Sequence, residues 1–133
     1  KAILDVYREN NLFFDKQKSL GIITPYRNQI ALIRHKLHET GIEELQGLMI
    51  DTVERFQGSQ KDIILLSFCM NKPYQLSFFM NLNKDKTVDR KLNVALTRAR
   101  QQMLLVGNRY ILSQNKIYRE LLDSMVCLNS SNT

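Results

Sequence analysis

Asp89-Arg90-Lys91-Leu92-Asn93-Val94-Ala95-Leu96-Thr97-Arg98-Ala99-Arg100 is the stretch on which the reading of the fold turns. Leu92, Ala95, Leu96 and Ala99 recur at helical spacing and Met103 continues the same face, so the segment predicts a short amphipathic helix. Asp89 stands where an N-cap belongs. The helix leads straight into Met103-Leu104-Leu105-Val106-Gly107, an apolar run of strand length. Two arginines one residue apart, Arg98 and Arg100, therefore stand just ahead of a core strand. On a helical wheel they fall on opposite flanks of the apolar stripe, with Arg98 on the edge that carries Lys91. Buried charge needs a partner, so this pattern calls for negative charge beside the helix.

Working outward, strands and helices alternate. A helix is expected over 2–14, with Ile3, Val6, Tyr7 and Phe13 or Phe14 facing a core, then a polar loop over 15–19. Leu20-Gly21-Ile22-Ile23 is a short apolar strand. Thr24 is a good N-cap and Pro25 suits the first position of the next helix, whose stripe is Tyr26, Ile30, Ile33 and Leu37 and which Gly41 ends. Residues 48–53 read as a strand, and 54–61 as a polar loop containing Phe56-Gln57-Gly58. Residues 62–68 form a nearly continuous apolar strand, of the kind buried on both faces of a parallel sheet. Cys69, at the end of that run, is expected in the core. Residues 71–88 show no clean period. Two terminal helices are expected over 109–113 and 117–126, with Ile117, Leu121, Leu122 and Met125 inward, and 129–133 as a frayed tail. Strands near residues 20, 48, 62 and 103, separated by helices, predict an α/β fold with a largely parallel sheet. In such sheets ligands bind where loops leave the C-terminal strand ends. Thr24-Pro25, Asn108-Arg109 and the Gln57-Gly58 loop are expected on that edge, with the arginine helix approaching from the side.

The chain has 133 residues, enough for one domain with a core, and a formal net charge of +6, which favours a polyanionic partner. Hydrophobic and charged fractions of 44% and 24% are those of a globular protein. No apolar run approaches membrane-spanning length and no signal peptide is visible, so no membrane partner is expected. Two distant cysteines without metal spacing point to a reducing compartment, the cytoplasm or, in a eukaryote, the nucleus. The first residue is Lys1, and the chain is expected to be a piece of a longer protein. His35 and His38 lie three apart on a helix with no acidic or cysteine partner nearby and read as surface residues, not metal ligands. The helix start at Thr24-Pro25 offers backbone N–H groups that suit a phosphate, although a well-capped helix explains the same residues.

Three segments are distinctive together: Gly21-Ile22-Ile23-Thr24-Pro25-Tyr26-Arg27-Asn28-Gln29, Thr52-Val53-Glu54-Arg55-Phe56-Gln57-Gly58-Ser59-Gln60-Lys61-Asp62, and Arg90-Lys91-Leu92-Asn93-Val94-Ala95-Leu96-Thr97-Arg98-Ala99-Arg100. In this order they resemble the second, C-terminal RecA-like domain of superfamily 1 helicases, in the branch of the nonsense-mediated-decay RNA helicase and its DNA-helicase relatives. The resemblance covers roughly residues 20–122. It implies an α/β three-layer domain with a mostly parallel central sheet flanked by helices. The segment from Gly21 is similar to helicase motif IV, which places Tyr26 near the adenine and Arg27 at the ATP γ-phosphate. The segment from Thr52 is similar to motif V, with Gln57 and Gly58 shaping the loop between nucleotide and strand. Thr52 is implied as a nucleic-acid contact, together with Thr24 and Pro25. The segment from Arg90 is similar to motif VI, where Arg98 would be the arginine finger and Arg100 the alternative candidate. Gln60 stands where the family usually has a ribose-bonding glutamate; it accepts a hydroxyl hydrogen bond without charge. Lys91 stands where the family often has arginine.

The chemistry agrees with those roles. Phosphoryl transfer depends on positioning and on neutralising charge at the γ-phosphate, and a guanidinium stays charged and binds phosphate oxygens bidentately. The sequence contains no Gly-x-x-x-x-Gly-Lys-Ser/Thr loop, and no acidic pair closes an apolar strand. The resemblance assigns both to the first RecA-like domain. The expectation is therefore the C-terminal half of a two-domain ATP-dependent motor, inactive alone. ATP would lie in the cleft between the domains, magnesium would be held by the other domain, and the partner would be single-stranded nucleic acid, with DNA favoured over RNA and RNA left open. A different reading is a non-catalytic nucleic-acid-binding or regulatory module with the same fold. A third is a nucleotide-binding α/β domain unrelated to nucleic acid.

Overall fold

The computed structural model describes residues 1–56, 58–68 and 89–127. Four apolar runs, β1 (Leu20–Ile23), β2 (Met49–Asp51), β3 (Lys61–Phe68) and β4 (Ala99–Gly107), form one sheet in the order β2-β1-β3-β4, parallel throughout. Around it stand α1 (Ala2–Glu9), α2 (Arg27–Glu39), α3 (Arg90–Thr97), α4 (Arg109–Ser113) and α5 (Lys116–Ser124). Alternation along β3 creates two cores, because successive side chains of a strand point to opposite faces. Ile64, Leu66 and Phe68 pack with Leu92 and Ala95 of α3, Leu112 of α4 and Tyr118 of α5. Ile63 packs with Leu4 of α1, Leu20, Leu45 and Leu48, and Leu37 of α2 closes on the same cluster. This is the expected α/β, RecA-like arrangement of a parallel sheet between helices.

Several local expectations are corrected. Helix α1 ends at Glu9, because Asn10 caps it and Asn11 turns left-handed at φ 52°; asparagine tolerates that region better than other side chains. Phe13 is left exposed, while Phe14 packs edge-on against Tyr7 with ring centroids 5.3 Å apart. Thr24 is not an N-cap: it still follows the strand, and its N–H donates to the Asp51 carbonyl at 3.1 Å. Helix α2 begins only at Arg27, with Tyr26 as an N-cap that supplies no side-chain bond, so Pro25 lies outside the helix. Gly41, at φ 67°, follows the end of α2 as expected. In α3 the Asp89 carboxylate caps the N–H groups of Lys91 and Leu92. The helix stops at Thr97, however, and β4 starts at Ala99 instead of Met103. The reason is tertiary: Lys61 N–H donates to the Arg98 carbonyl at 2.9 Å and Ala99 pairs with Lys61. Arg100 is thus a strand residue, and the helical-wheel relation to Arg98 lapses. Gln57, Cys69, the stretch over 71–88 and the tail over 129–133 lie outside the described residues.

The link from β2 to β3 decides where the site residues go. It leaves β2 at one end of the sheet, makes a short 3₁₀ turn over Glu54–Phe56 and enters β3 at the other end. Phe56 pins it, with 0% exposure. The ring lies against Gly21 of β1, where an added Cβ would come within 2.7 Å of Phe56 Cζ and 2.9 Å of Lys61 Cγ. Glycine here makes room for an aromatic ring. Gly21→Ala is expected to destabilise the chain by about 1–3 kcal/mol through overpacking. A lowered urea midpoint with an unchanged slope is the corresponding measurement.

Candidate functional site

At the N-terminal end of the sheet, where β3 and β4 begin, the loop and the arginine helix meet. The buried Lys61 ammonium bonds the Gln17 carbonyl, which fixes the mouth of β3. Gln60 donates from Nε2 to the Thr97 carbonyl at 3.3 Å. Gly58 sits at φ 80°, a conformation glycine adopts without strain. Arg98 folds its guanidinium over the end of its own helix. Nε donates to the Val94 carbonyl and the Thr97 hydroxyl, both at 3.3 Å, and Nη2 reaches the Thr97 hydroxyl at 3.1 Å. Thr97 in turn donates to Val94 O at 2.7 Å. The cation therefore rests on the negative end of the helix dipole, among neutral acceptors. Arg100 behaves differently: its Nη1 lies 3.7 Å from Asp62 Oδ1 and braces the start of β4 against β3. Of the two arginines, Arg98 keeps a charge that no acidic side chain among the described residues offsets. It can still turn toward phosphate oxygens.

The opposite end of the sheet carries Thr24, Pro25, Tyr26, Arg27 and Thr52. Thr24 is 0% exposed and its hydroxyl donates to Gln29 Oε1 at 2.6 Å. Thr52 is also buried; its N–H bonds Asp51 Oδ1 at 2.9 Å and its hydroxyl serves the Glu54 carboxylate. Both threonines shape turns and offer almost no side-chain surface to a ligand. Pro25 and Tyr26 are half-buried and Arg27 is exposed. Tyr26 packs against the cluster that contains Ile23, Val53 and Phe56, the position of a core aromatic.

These two groups do not converge, which corrects the expectation of a single edge. Register places Ile23 level with Leu66, and Lys61 level with Ala99. The Thr24 end and the Arg98 end are thus about 20 Å apart at the usual strand rise. No described contact brings Arg27 and Arg98 together. The Gly58 loop also belongs with Arg98, because its chain has crossed the sheet before it turns. What the sequence presents as one cleft is, in this chain, two ends of a sheet.

A polar brace joins the crossing segment to the arginine helix. Lys91 Nζ lies 2.8 Å from Glu54 Oε1. Partial burial pushes the Glu54 carboxyl up, but the Lys91 ammonium, backbone hydrogen bonding and the Thr52 hydroxyl outweigh it and hold the group below its ordinary value. Beneath, Asp89 is 1% exposed and accepts from Tyr118 O–H at 3.4 Å. Burial, and then the Asp89 carboxylate, push the Tyr118 phenol far up, so it stays a neutral donor. Sequence reasoning missed both Glu54 and Tyr118. The only signal for Tyr118 was its place one residue beyond Ile117 on an amphipathic helix. Among the described residues no group of His, Cys, Asp or Glu is placed to hold a metal ion, and His35 instead pairs with Glu39 at 2.9 Å. Because Glu54 titrates lower in the folded chain, the brace contributes stability above the unfolded carboxylate value of 4.5 and loses it as pH falls through the folded value. Lys91→Met is expected to shift the Glu54 midpoint upward in a carboxyl NMR titration and to shrink that acid-side loss.

Comparison with known proteins adds a family. The family described as an AAA domain matches residues 1–110. A DNA replication ATP-dependent helicase/nuclease of Arabidopsis thaliana is 36% identical over 108 residues, 81% of this chain and 7% of its own length. The DNA polymerase alpha-associated DNA helicase A of Saccharomyces cerevisiae is 34% identical over 115 residues, 85% of this chain and 16% of its own. Regulator of nonsense transcripts 1 of Dictyostelium discoideum is 36% identical over 107 residues, 77% of this chain and 8% of its own. The chain thus spans less than a fifth of each of these relatives.

Proposed function

Since the chain belongs to the AAA domain family of helicases, we propose that it is the C-terminal motor domain of an ATP-dependent helicase or translocase that moves on single-stranded nucleic acid. Bound ATP, with magnesium held by the other domain of the motor, supplies the γ-phosphoryl group. Arg98 is the arginine finger. Arg98 itself is the observation that carries this reading: a guanidinium half-buried at a helix C-terminus, bonded to neutral oxygens, with Gln60 held beside it by the Thr97 carbonyl. A phosphate oxygen gives it a charged partner that these acceptors do not. Gln60, with its amide nitrogen engaged, has its Oε1 to accept from a ribose hydroxyl. Gly58 lets the loop turn close to the nucleotide.

The two-ended geometry divides the labour. Arg98, Gln60 and Gly58 serve the nucleotide at one end of the sheet, while Pro25 and Arg27 serve the strand at the other. In this reading Arg27 serves the strand side instead of the γ-phosphate. Names such as DNA helicase A and DNA replication helicase among the relatives support DNA, and the nonsense-transcript regulator supports RNA; DNA is kept as the first substrate to test. A cytoplasmic or nuclear location is part of the same proposal.

In the full-length protein Arg98→Ala is expected to lower the turnover number for ATP about 10³-fold or more, with a much smaller change in KM. Arg98→Lys is expected to recover only a small part, because one ammonium does not reproduce the planar fork. Strand-stimulated ATP hydrolysis near the wild-type rate in Arg98→Ala removes the finger assignment. Strand binding without any ATP hydrolysis in the wild type favours the non-catalytic module instead.

A further inference from the structure

Several cations on the described surface are neutralised within the chain. Arg8 pairs with Glu44, Lys16 with Glu43, Lys91 with Glu54 and Arg100 with Asp62. Helix α2 carries three basic residues that are not. Arg27, Arg34 and His38 are all exposed, and none of the described ion pairs or hydrogen bonds involves their side chains. Their spacing of seven and then four residues puts them on one line along the helix. The one acidic residue of the helix, Glu39, is taken by His35 and Lys36 on another flank.

The placement works against the helix alone. There is no side-chain cap and no acid in the first turn, and Arg27 is set against the positive end of the macrodipole. A negatively charged ligand relieves all three. The line measures about 16 Å at the helical rise. That is the length of about five phosphates at the ~3.4 Å spacing of a single strand in a duplex, and fewer in an extended one. It starts at Arg27, the residue already assigned to the strand side.

From this we infer that the basic line Arg27–Arg34–His38 on α2 continues the nucleic-acid path beyond the sheet edge and takes the sugar-phosphate backbone of the single strand. The inference rests on the strand-binding half of the proposed function. Contacts to phosphate position a strand without reading its bases, so DNA and RNA strands of equal length use the line alike.

The test is salt-dependent binding of fluorescent oligo-dT and oligo-U to the full-length protein. Arg34→Ala is expected to weaken binding several-fold near 0.1 M salt and to flatten the log–log salt slope by about 0.7, the value for one phosphate contact on a single strand. Arg34→Lys is expected to restore the slope, which separates lost charge from lost fold. Lys36→Ala removes the same charge from another flank of the helix and is expected to leave the slope unchanged. ATP hydrolysis without a strand is expected to be the same in all three. Wild-type binding with an unchanged slope in Arg34→Ala overturns the inference and leaves the proposed function standing. An equal effect of Lys36→Ala also overturns it, because the cause is then net charge and not a path. Binding of polyglutamate that depends on Arg34, with strand binding that does not, assigns the line to an acidic protein segment and overturns it too. Absence of any strand binding in the wild type removes both readings together.

Discussion

The backbone hydrogen bond from Lys61 N–H to the Arg98 carbonyl is the constraint from which the rest of the site follows. It closes the first rung between β3 and β4, and the parallel register then runs to Phe68 opposite Gly107. It also stops α3 one residue before the strand, which leaves the Arg98 side chain at the helix end beside the mouth of the sheet. A slip of one residue would exchange Met103 and Leu105 with Leu104 between the two cores, which is why the register is held so firmly. The same slip would carry Arg98 away from Gln60. Packing of the sheet and presentation of the charge are thus one event.

Parallel strands make the two ends of the sheet electrostatically different. Helix N-termini, with their free N–H groups, gather at one end and helix C-termini at the other. Arg98 suits the C-terminus of α3 even before any ligand arrives, whereas Arg27 stands exposed at the start of α2, against the positive end of a helix that has no side-chain cap. Under the proposed function the two ends meet phosphate by different means: a cation stored on helix carbonyls at one, and an exposed cation at a helix start at the other.

The segment over 52–60 connects those ends. Phe56 fastens it into the Gly21 notch, and Glu54 fastens it to α3 through Lys91. Behind α3, the buried Asp89 ties the helix to Tyr118 of α5. Under the proposed function, a strand that moves the Thr52 end of this segment has a short, well-packed route to the helix bearing Arg98. Demonstrating such coupling requires that both ligands bias one element with two positions, and α3, braced by side-chain pairs on both sides, is the element on which to look for it.

Much of this was legible in the chain by local rules. Continuous apolar runs marked the strands, the Asp89 cap marked α3, Gly41 marked the end of α2, and alternation of strand and helix marked a parallel sheet. Those signals are local because propensity, capping and periodicity act within a few residues. The three helicase-like segments marked the residues proposed to handle phosphate. What the sequence could not determine was which ends of the sheet those residues occupy. Thr24 has the character of a cap until Asp51 recruits its N–H into the sheet, and Arg100 reads as helical until Lys61 draws the chain into β4. Tyr118 and Glu54 carry little signal because their partners lie far along the chain, at Asp89 and Lys91. Placement of Arg27 and Arg98 at opposite ends follows from the β2-to-β3 link passing across the sheet under Phe56, a long-range packing choice that only the tertiary structure makes.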